Sequence, residues 1–290
     1  MSGVALALAL GAALLHAIWN VVLAGSRDSV VTAGALLLWG VVLLGLGALL
    51  FGDVSAEAAP FIVASAGLQL VYFALLARAY HGGQVSVVYP IARGTAPLLA
   101  VAVGIGILGE QLGPAGLAGV GALLVGLLVL QRPWRFLRAA GRADRDPAVA
   151  FALATGVMIA AYSAVDRVGS RLVEPWLYAG MIWFSGTAFL WIWVWITGRS
   201  ERFAAASGPL DRRRAAFGGW ITMAAYLLIL VAFSVAPLTA VAPLRESAIV
   251  LASGWGTLRL GEGADRGDVI RRIGASALVV VGAILLALDG

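Results

Sequence analysis

Runs of apolar residues, each about as long as a bilayer is thick, follow one another along almost the whole chain. About twenty apolar residues cross the hydrocarbon core of a membrane as a helix. Hydrophobic residues make up 61% of the chain and charged residues 12%, a composition that soluble domains do not have. We therefore predict an all-α membrane protein with ten transmembrane helices in a lipid bilayer. The predicted spans are 3–24, 30–51, 59–80, 84–108, 113–131, 148–168, 176–197, 215–235, 238–259 and 269–288.

Two segments about half a chain apart resemble each other. Val87–Glu110 and Val241–Glu262 each place an arginine within one turn of a proline, continue with apolar residues and end at Leu-Gly-Glu. The third and fourth predicted spans nearly touch, and so do the eighth and ninth. Each half then holds five spans, an odd number, so the second half enters the membrane from the opposite side. The sequence predicts two inverted five-helix repeats, at residues 1–131 and 148–290, joined by a charged linker at 132–147.

The arginines indicate the orientation in the membrane, because all 20 basic residues are arginine. Sixteen of them lie on the side that holds the 1–2, 3–4, 5–6, 7–8 and 9–10 loops, and only Arg167 and Arg171 lie on the other side. Short loops rich in basic residues stay in the cytoplasm. We expect a multi-pass protein of the bacterial inner membrane, with the arginine-rich loops in the cytoplasm and both termini outside.

Several functional classes do not fit this composition. The net charge of +5 comes from arginines clustered between apolar runs, so the positive-inside effect accounts for it and nucleic-acid binding is not expected. The chain has no cysteine and only two histidines, His16 and His81, without an H-E-x-x-H pattern. We therefore predict no metal site and no cofactor.

Arg93 and Arg245 lie inside the fourth and ninth predicted spans, where a charge is costly and usually functional. Prolines two or three residues earlier remove a backbone donor, so we expect kinked helices at the arginines. Two guanidinium groups that reach one cavity suit a carboxylate or a phosphate. Glu246 leaves an alternative open, in which it neutralises Arg93 as a purely structural ion pair. The cavity would then be nearly neutral and would favour zwitterions such as amino acids.

Further polar side chains lie on the first, third, fourth and sixth predicted spans, and we predict that they line the substrate path. Where they are spaced three or four residues apart, they share one face of a helix. An alternative is that they only join neighbouring helices by hydrogen bonds, as polar side chains in membrane bundles often do. The candidates are His16, Trp19, Asn20, Gln69, Tyr72, Tyr89, Tyr162, Ser163 and Asp166.

Two other features receive a structural interpretation. Glu110 and Glu262 end the two Leu-Gly-Glu turns, and we expect each to face water and to cap the helix that follows it. Ala118, Ala122 and Gly126 recur every four residues on the fifth span, a spacing that allows helices to approach closely. Internal packing and a homodimer face are both open for this stripe.

Four segments carry a resemblance to a known family: HAIWN (His16–Asn20), VVYPIARGTAP (Val87–Pro97), AAYSAVDRVGSR (Ala160–Arg171) and APLRESAIV (Ala242–Val250). With ten spans in an inverted five-plus-five arrangement, the chain resembles the drug/metabolite transporter superfamily, EamA type, over essentially its whole length. The resemblance implies alternating access about a central cavity lined by the first, third, fourth, sixth, eighth and ninth spans. Many members are described with both termini in the cytoplasm, but the arginine count favours the opposite orientation here.

These patterns and this resemblance lead to an expected function. We expect a secondary transporter, not an enzyme, for a small polar metabolite that is anionic or zwitterionic, such as an amino acid or a phosphorylated or phosphonate compound. A membrane-embedded enzyme acting on lipid phosphate and a non-transporting receptor or scaffold are the alternatives. The enzyme would need a nucleophile with a base, or paired carboxylates, and the sequence offers no cluster of acids. Proton coupling through His16 or Asp166 and facilitated exchange both fit the sequence.

Overall fold

The computed structural model describes residues 1–24, 45–82, 85–132, 147–196, 209–248, 250 and 266–289. These residues form α-helices joined by short turns, without a strand in the ranges described. The prediction of an all-α chain is confirmed, and the order of the helices agrees with the predicted spans. The helices are α1 (Gly3–Ala24), α2 (Leu46–Phe51), α3 (Ala59–Gly82), α4 (Val85–Gly106), α5 (Pro114–Gln131), α6 (Pro147–Gly169), α7 (Pro175–Ile196), α8 (Pro209–Val235), α9 (Leu238–Arg245) and α10 (Arg266–Leu288).

The helices have the length and the surface of membrane-spanning segments. Large apolar side chains cover the outside, and Ile107, Trp195 and Leu288 are 77%, 79% and 72% exposed. A soluble protein rarely exposes so much contiguous apolar surface, so this surface faces lipid. Shorter apolar segments lie in α1 and α4 at Gly3–Ile18 and Ile91–Gly106. Within the described ranges, five segments are long and apolar enough to cross a membrane: Ala59–Leu76, Pro114–Gln131, Pro147–Gly169, Ala216–Val235 and Gly267–Leu288.

The pairs of packed helices follow one pattern. α1 packs against α8 and α9, whereas α6 packs against α3 and α4. Each helix from α1 to α5 corresponds to the helix five numbers later, so that α1 corresponds to α6 and α4 to α9. Under this correspondence the contacts of α1 with α8 and α9 become those of α6 with α3 and α4. The contacts of α2 with α7, α4 with α9 and α5 with α10 each join two corresponding helices. This is the packing that a repeated five-helix unit produces, and it brings α1, α4, α6 and α9 together at the centre.

Contacts at the helix ends show which turns share a face of the molecule. The amino group of Met1 donates to the carbonyl of Leu286 at 3.1 Å, and the Asp289 carboxylate accepts from the backbone N–H of Gly113 at 3.1 Å. Both termini and the α4–α5 turn therefore lie on one face. On the other face, Arg271 at the start of α10 donates to the carbonyl of Val129 at the end of α5, at 2.6 Å. Alternation of this kind is what successive membrane spans require.

Glycines bring α5 and α10 together, although not along the predicted stripe. A Cβ added to Gly119 would lie 2.8 Å from the carbonyl oxygen of Gly282, and one added to Gly126 would lie 2.8 Å from that of Ala275. Ala118, by contrast, is exposed. Of the predicted stripe, Gly126 therefore takes part in this contact and Ala118 does not, because the face that packs holds Gly119 and Gly126, seven residues apart. This glycine face packs inside the chain, against α10.

Candidate functional site

Arg93, Arg245 and Glu246 form one buried cluster between α4 and α9. Nη1 of Arg93 donates to both carboxylate oxygens of Glu246, at 3.1 and 3.2 Å. Nε of Arg245 donates to Oε1 of the same carboxylate at 3.1 Å. Arg93 is 6% exposed, Arg245 7% and Glu246 2%. One carboxylate therefore bridges two guanidinium groups that come from the two copies of the proline–arginine segment.

The α9 helix ends inside the protein, beside this cluster. Pro243 has no backbone N–H to donate, which weakens the helix locally. After Arg245 the hydrogen bonds tighten to three-residue spacing, with the N–H of Glu246 on the carbonyl of Pro243 at 3.1 Å and that of Ser247 on Leu244 at 3.0 Å. The expected break is therefore present in α9. It is absent from α4, which continues as a helix through Pro90 and Pro97.

The C-terminal end of α9 stabilises the positive charge of Arg245. Carbonyl groups at such an end carry a partial negative charge, and Arg245 lies at that end.

Small residues bring α6 close to the backbone of α4 beside Arg93. A Cβ added to Gly156 of α6 would lie 2.9 Å from the carbonyl oxygen of Ala92. A glycine at that position therefore lets α6 reach the backbone next to the arginine.

Side chains of α1 and α6 complete the first cluster. Nη2 of Arg93 lies 2.6 Å from Nε2 of His16, and Nη1 of Arg245 donates to the hydroxyl of Ser163 at 3.3 Å. The guanidinium carbon of Arg245 lies 6.0 Å from the ring centroid of Tyr162, within the range of a cation–π interaction. We call His16, Arg93, Ser163, Arg245 and Glu246 the guanidinium cluster.

Asp166 forms the centre of a second buried polar cluster, on the same face of α6. Its Oδ1 accepts from the hydroxyl of Ser65 at 2.5 Å and lies 3.3 Å from the hydroxyl of Tyr178. Its Oδ2 accepts from the hydroxyl of Tyr226 at 2.8 Å. The amide nitrogen of Gln69 donates to the oxygens of Ser65 and Tyr226, at 3.1 and 2.8 Å. We call these five residues the Asp166 cluster; it joins α3, α6, α7 and α8.

The predicted candidates thus divide between two clusters. The guanidinium cluster contains His16, Arg93, Ser163, Arg245 and Glu246. Gln69 and Asp166 lie in the Asp166 cluster, where both contact Ser65 and Tyr226. Tyr72 contacts Tyr162, with ring centroids 5.9 Å apart, and so lies beside the guanidinium cluster. Trp19 and Asn20 lie on α1 and Tyr89 on α4, but their side chains fall outside the described part of the structure.

Ser65, Tyr178 and Tyr226 were not predicted as site residues. Tyr226 had a usable signal in the sequence, since it occupies the place in the second half that Tyr72 occupies in the first. Ser65 lies four residues before Gln69 and therefore on the same helix face. Tyr178 had no such signal, because only the packing of α7 brings its hydroxyl to Asp166.

Glu110 has a role different from the expected one. Its carboxylate accepts from the backbone N–H groups of Leu238 and Thr239 at 2.7 and 2.9 Å, so it caps α9 of the other half. Arg167 also donates to it at 3.1 Å, and to the carbonyl of Phe233 at 2.7 Å. The side chain therefore does not face water or cap α5. Glu262, its counterpart, lies outside the described residues.

The electrostatics of the guanidinium cluster favour an anion. Two arginines contribute two positive charges and Glu246 contributes one negative charge, so the cluster is positive by one charge when His16 is neutral. Nη2 of Arg245 has no hydrogen-bond acceptor among the residues that the structure describes. No group of three or more His, Cys, Asp or Glu able to hold a metal ion is found among the described residues either. The arrangement can bind a carboxylate or a phosphate.

The fold and the buried charged centre define a polytopic α-helical membrane protein of the transporter class. Residues 146–288 match the EamA-like transporter family, and through this half the chain belongs to that family. It is therefore a membrane transporter of the drug/metabolite type. A crystal structure of another protein, 21% identical, covers 99% of this chain and 99% of its own with a TM-score of 0.73, which shows a common fold. No curated protein matches the sequence.

Proposed function

We propose that this transporter moves a small organic metabolite that carries a carboxylate, phosphate or phosphonate group, and that the guanidinium cluster binds this group. The observation that carries the proposal is the convergence of Arg93 and Arg245 on one carboxylate, with a surplus of positive charge, inside the membrane-spanning part. Unbalanced charge is expensive in such surroundings. An anionic substrate group would balance it.

The geometry supports this role for Arg245 in particular. Its Nε and Nη1 are engaged by Glu246 and Ser163, which fixes the plane of the guanidinium group. The remaining terminal nitrogen, Nη2, can then donate to a bound anion in a defined direction. Such preorganisation lowers the entropic cost of binding. Tyr162 and Tyr72 would contact the rest of the substrate.

The break in α9 supports a binding site at this depth. Backbone that is not fully helical is tolerated inside a membrane protein where it is buried or lines a polar cavity. Discontinuous helices of this kind form the substrate sites of many secondary transporters. We infer that the two halves alternate in opening this site to the two sides of the inner membrane.

A thermal-shift screen of the purified protein tests the proposal. Amino acids, organic phosphates and phosphonates are added singly, because a ligand that binds only the native state raises its apparent stability. At 100 times the Kd the gain is about 2.7 kcal/mol. Compounds that stabilise the wild type are then tested for saturable uptake into proteoliposomes.

Matched arginine variants make the screen specific. Arg93→Gln and Arg245→Gln should abolish the ligand-dependent shift, whereas Arg213→Gln, at an exposed position of α8, should leave it unchanged. If the cluster variants keep both the shift and the uptake, the guanidinium groups do not bind the substrate. If no compound of the three classes binds the wild type, the proposed substrate class is wrong.

A further inference from the structure

The Asp166 cluster holds a carboxyl group that the proposed substrate site does not use. Asp166 is completely buried, and no arginine forms an ion pair with it among the described residues. Arg167, its neighbour in the chain, turns away to Glu110. A buried carboxylate without a cation is expensive, and protonation is the usual way in which that cost is relieved. Asp166 is therefore the buried acid best placed to exchange a proton.

Two of the hydrogen bonds around Asp166 form a chain that runs towards it. Gln69 donates to the oxygens of Ser65 and Tyr226, and these hydroxyl groups in turn donate to the carboxylate. The Tyr178 hydroxyl lies 3.3 Å from the carboxylate and 3.4 Å from the carbonyl oxygen of Phe61. An ionised carboxylate can accept from all three hydroxyl groups, whereas a protonated one donates a hydrogen of its own, and the Tyr178 hydroxyl can then turn to Phe61. Since the donors come from α3, α7 and α8, a change of protonation changes how these helices are held to α6.

The Asp166 cluster holds a single carboxylate, with hydroxyl groups and one amide around it. No group of three or more His, Cys, Asp or Glu lies together among the described residues. The proton is therefore the cation that we assign to this position.

The Asp166 cluster and the guanidinium cluster lie on one face of α6. Ser163, which accepts from Arg245, precedes Asp166 by three residues and therefore lies on the same side of the helix. The charged or titratable side chains that belong to or contact these two clusters, with Arg167 beside Asp166 in the chain, are His16, Tyr72, Arg93, Tyr162, Arg167, Tyr178, Tyr226, Arg245 and Glu246.

The summed charge of the guanidinium cluster and Asp166 couples anion binding to protonation of Asp166. With Asp166 ionised, Arg93 and Arg245 are balanced by Glu246 and Asp166, so a bound anion would leave one uncompensated negative charge. Protonation of Asp166 removes that charge. Interactions between charges are strong in a medium of low dielectric constant, so the anion and the proton each favour binding of the other, and thermodynamic linkage makes the effect reciprocal.

We propose that Asp166 is the proton-binding site of this transporter and that it carries one proton together with one anionic solute. The proton adds to the carboxylate on one side of the membrane and leaves it on the other, and no other bond is made or broken. This inference rests on the proposed function, which it narrows to proton symport of a solute with a net negative charge. A zwitterionic solute would leave the charge balance unchanged and would need no proton.

The first experiment requires no solute. Infrared difference spectra of the purified full-length protein are recorded as the pH is lowered, for the wild type, Asp166→Asn and the exposed control Asp53→Asn. The carbonyl band of a buried protonated carboxyl should appear in the wild type and in Asp53→Asn and be missing in Asp166→Asn. Tyr226→Phe should keep the band with a displaced midpoint, because the hydroxyl donors fall from three to two. A band that persists in Asp166→Asn overturns the proton site.

The second experiment tests coupling, with methylphosphonate as the anionic probe and glycine as the zwitterionic one. In wild-type proteoliposomes an inward proton gradient of about one pH unit should raise methylphosphonate accumulation by up to about tenfold, because one proton enters with each anion and a tenfold concentration ratio corresponds to about 1.4 kcal/mol. Asp166→Asn should lose this stimulation but keep exchange of methylphosphonate across the membrane. A purely structural aspartate would instead lower both together.

The outcomes separate the two proposals. If neither probe is transported by the wild type, and the infrared band is present in the wild type and in Asp53→Asn but missing in Asp166→Asn, the substrate class fails and the proton site stands. If methylphosphonate is accumulated without any response to the gradient, the proposed function stands and coupling through Asp166 is overturned. Accumulation of glycine that depends on the gradient and on Asp166 would overturn the charge-balance argument.

Discussion

Arg93 and Glu246 lie 153 positions apart in the chain and form an ion pair of 3.1 Å whose side chains are 7% and 3% exposed. Neither residue is alone in this contact, since Glu246 also accepts from Arg245. A buried carboxylate between two guanidinium groups satisfies part of their charge and leaves the rest for a ligand. The ion pair foreseen as a purely structural alternative is therefore compatible with substrate binding, because one carboxylate cannot neutralise two arginines.

A double-mutant cycle separates these roles. Glu246→Gln leaves two guanidinium groups without their carboxylate, and we expect it to lower the free energy of unfolding by about 3–5 kcal/mol, as for other broken buried ion pairs. Arg93→Gln should cost less, because Arg245 still compensates Glu246. The double variant should regain much of the lost stability without regaining transport. Unfolding in detergent and proteoliposome uptake measure the two quantities.

Two results of the Arg93–Glu246 double-mutant cycle would contradict this prediction. If the double variant transports its substrate at the wild-type rate, then Arg93 and Glu246 only hold α4 against α9. Stability that falls additively in the double variant would show that the two side chains do not interact. Arg213→Gln at the surface of α8 serves as the reference for loss of an arginine as such.

The contact of α5 with α10 gives a prediction about packing. Gly119→Leu places a side chain where the backbone of Gly282 already lies, and such overpacking usually costs about 1–3 kcal/mol. Gly121→Leu is the matched control, because nothing lies within 4 Å of a Cβ at Gly121 and that position is exposed. We expect a lower apparent melting temperature for the first variant and little change for the second. Equal melting temperatures would contradict the close approach of the two helices.

Much of the fold could be predicted because the bilayer imposes simple rules on sequence. Each span must be apolar and about twenty residues long, so the described ends of α1, α3, α4, α5, α6, α7 and α10 fall within a few residues of the predicted ones. The ninth span was predicted to run to residue 259, but α9 ends at Arg245 because Pro243 and the buried cluster interrupt it. The similarity of the two proline–arginine segments predicted how the helices of the two halves correspond. The face that each helix presents to its neighbours was harder to predict, since both lipid and protein interior are apolar. The stripe of Ala118, Ala122 and Gly126 illustrates this, because Gly126 packs against α10 whereas Ala118 is exposed.

The site was predictable where charges lie inside spans. Arg93, Arg245, Glu246 and His16 were found from the rarity of such residues in apolar segments. The partners of Asp166 were not found, because Ser65 and Tyr178 are ordinary residues of membrane helices and gain their role only from the packing of α3 and α7. Glu110 was misassigned for a related reason, since local sequence points to the next helix and not to one 128 residues away.

The cap that Glu110 provides gives a third prediction. Glu110→Gln removes a charge that two backbone N–H groups and Arg167 all contact. Hydrogen bonds to charged groups are stronger than neutral ones, so we expect a loss of about 2 kcal/mol in the free energy of unfolding. Glu57→Gln, in an exposed turn before α3, should have no effect. If the two variants are equally stable, the α4–α5 turn does not hold α9.

The orientation of the protein gives a fourth prediction. The termini and the α4–α5 turn share one face, and the arginine count predicts that this face lies outside the cytoplasm. A green fluorescent protein fused after Gly290 should then be dark and alkaline phosphatase fused there should be active. Fusions after Arg132, which follows α5 on the arginine-rich face, should behave in the opposite way. If both pairs of reporters are reversed, the protein has its termini in the cytoplasm. Arg167 and Arg171 would then lie on the cytoplasmic side together with the Glu110 cap.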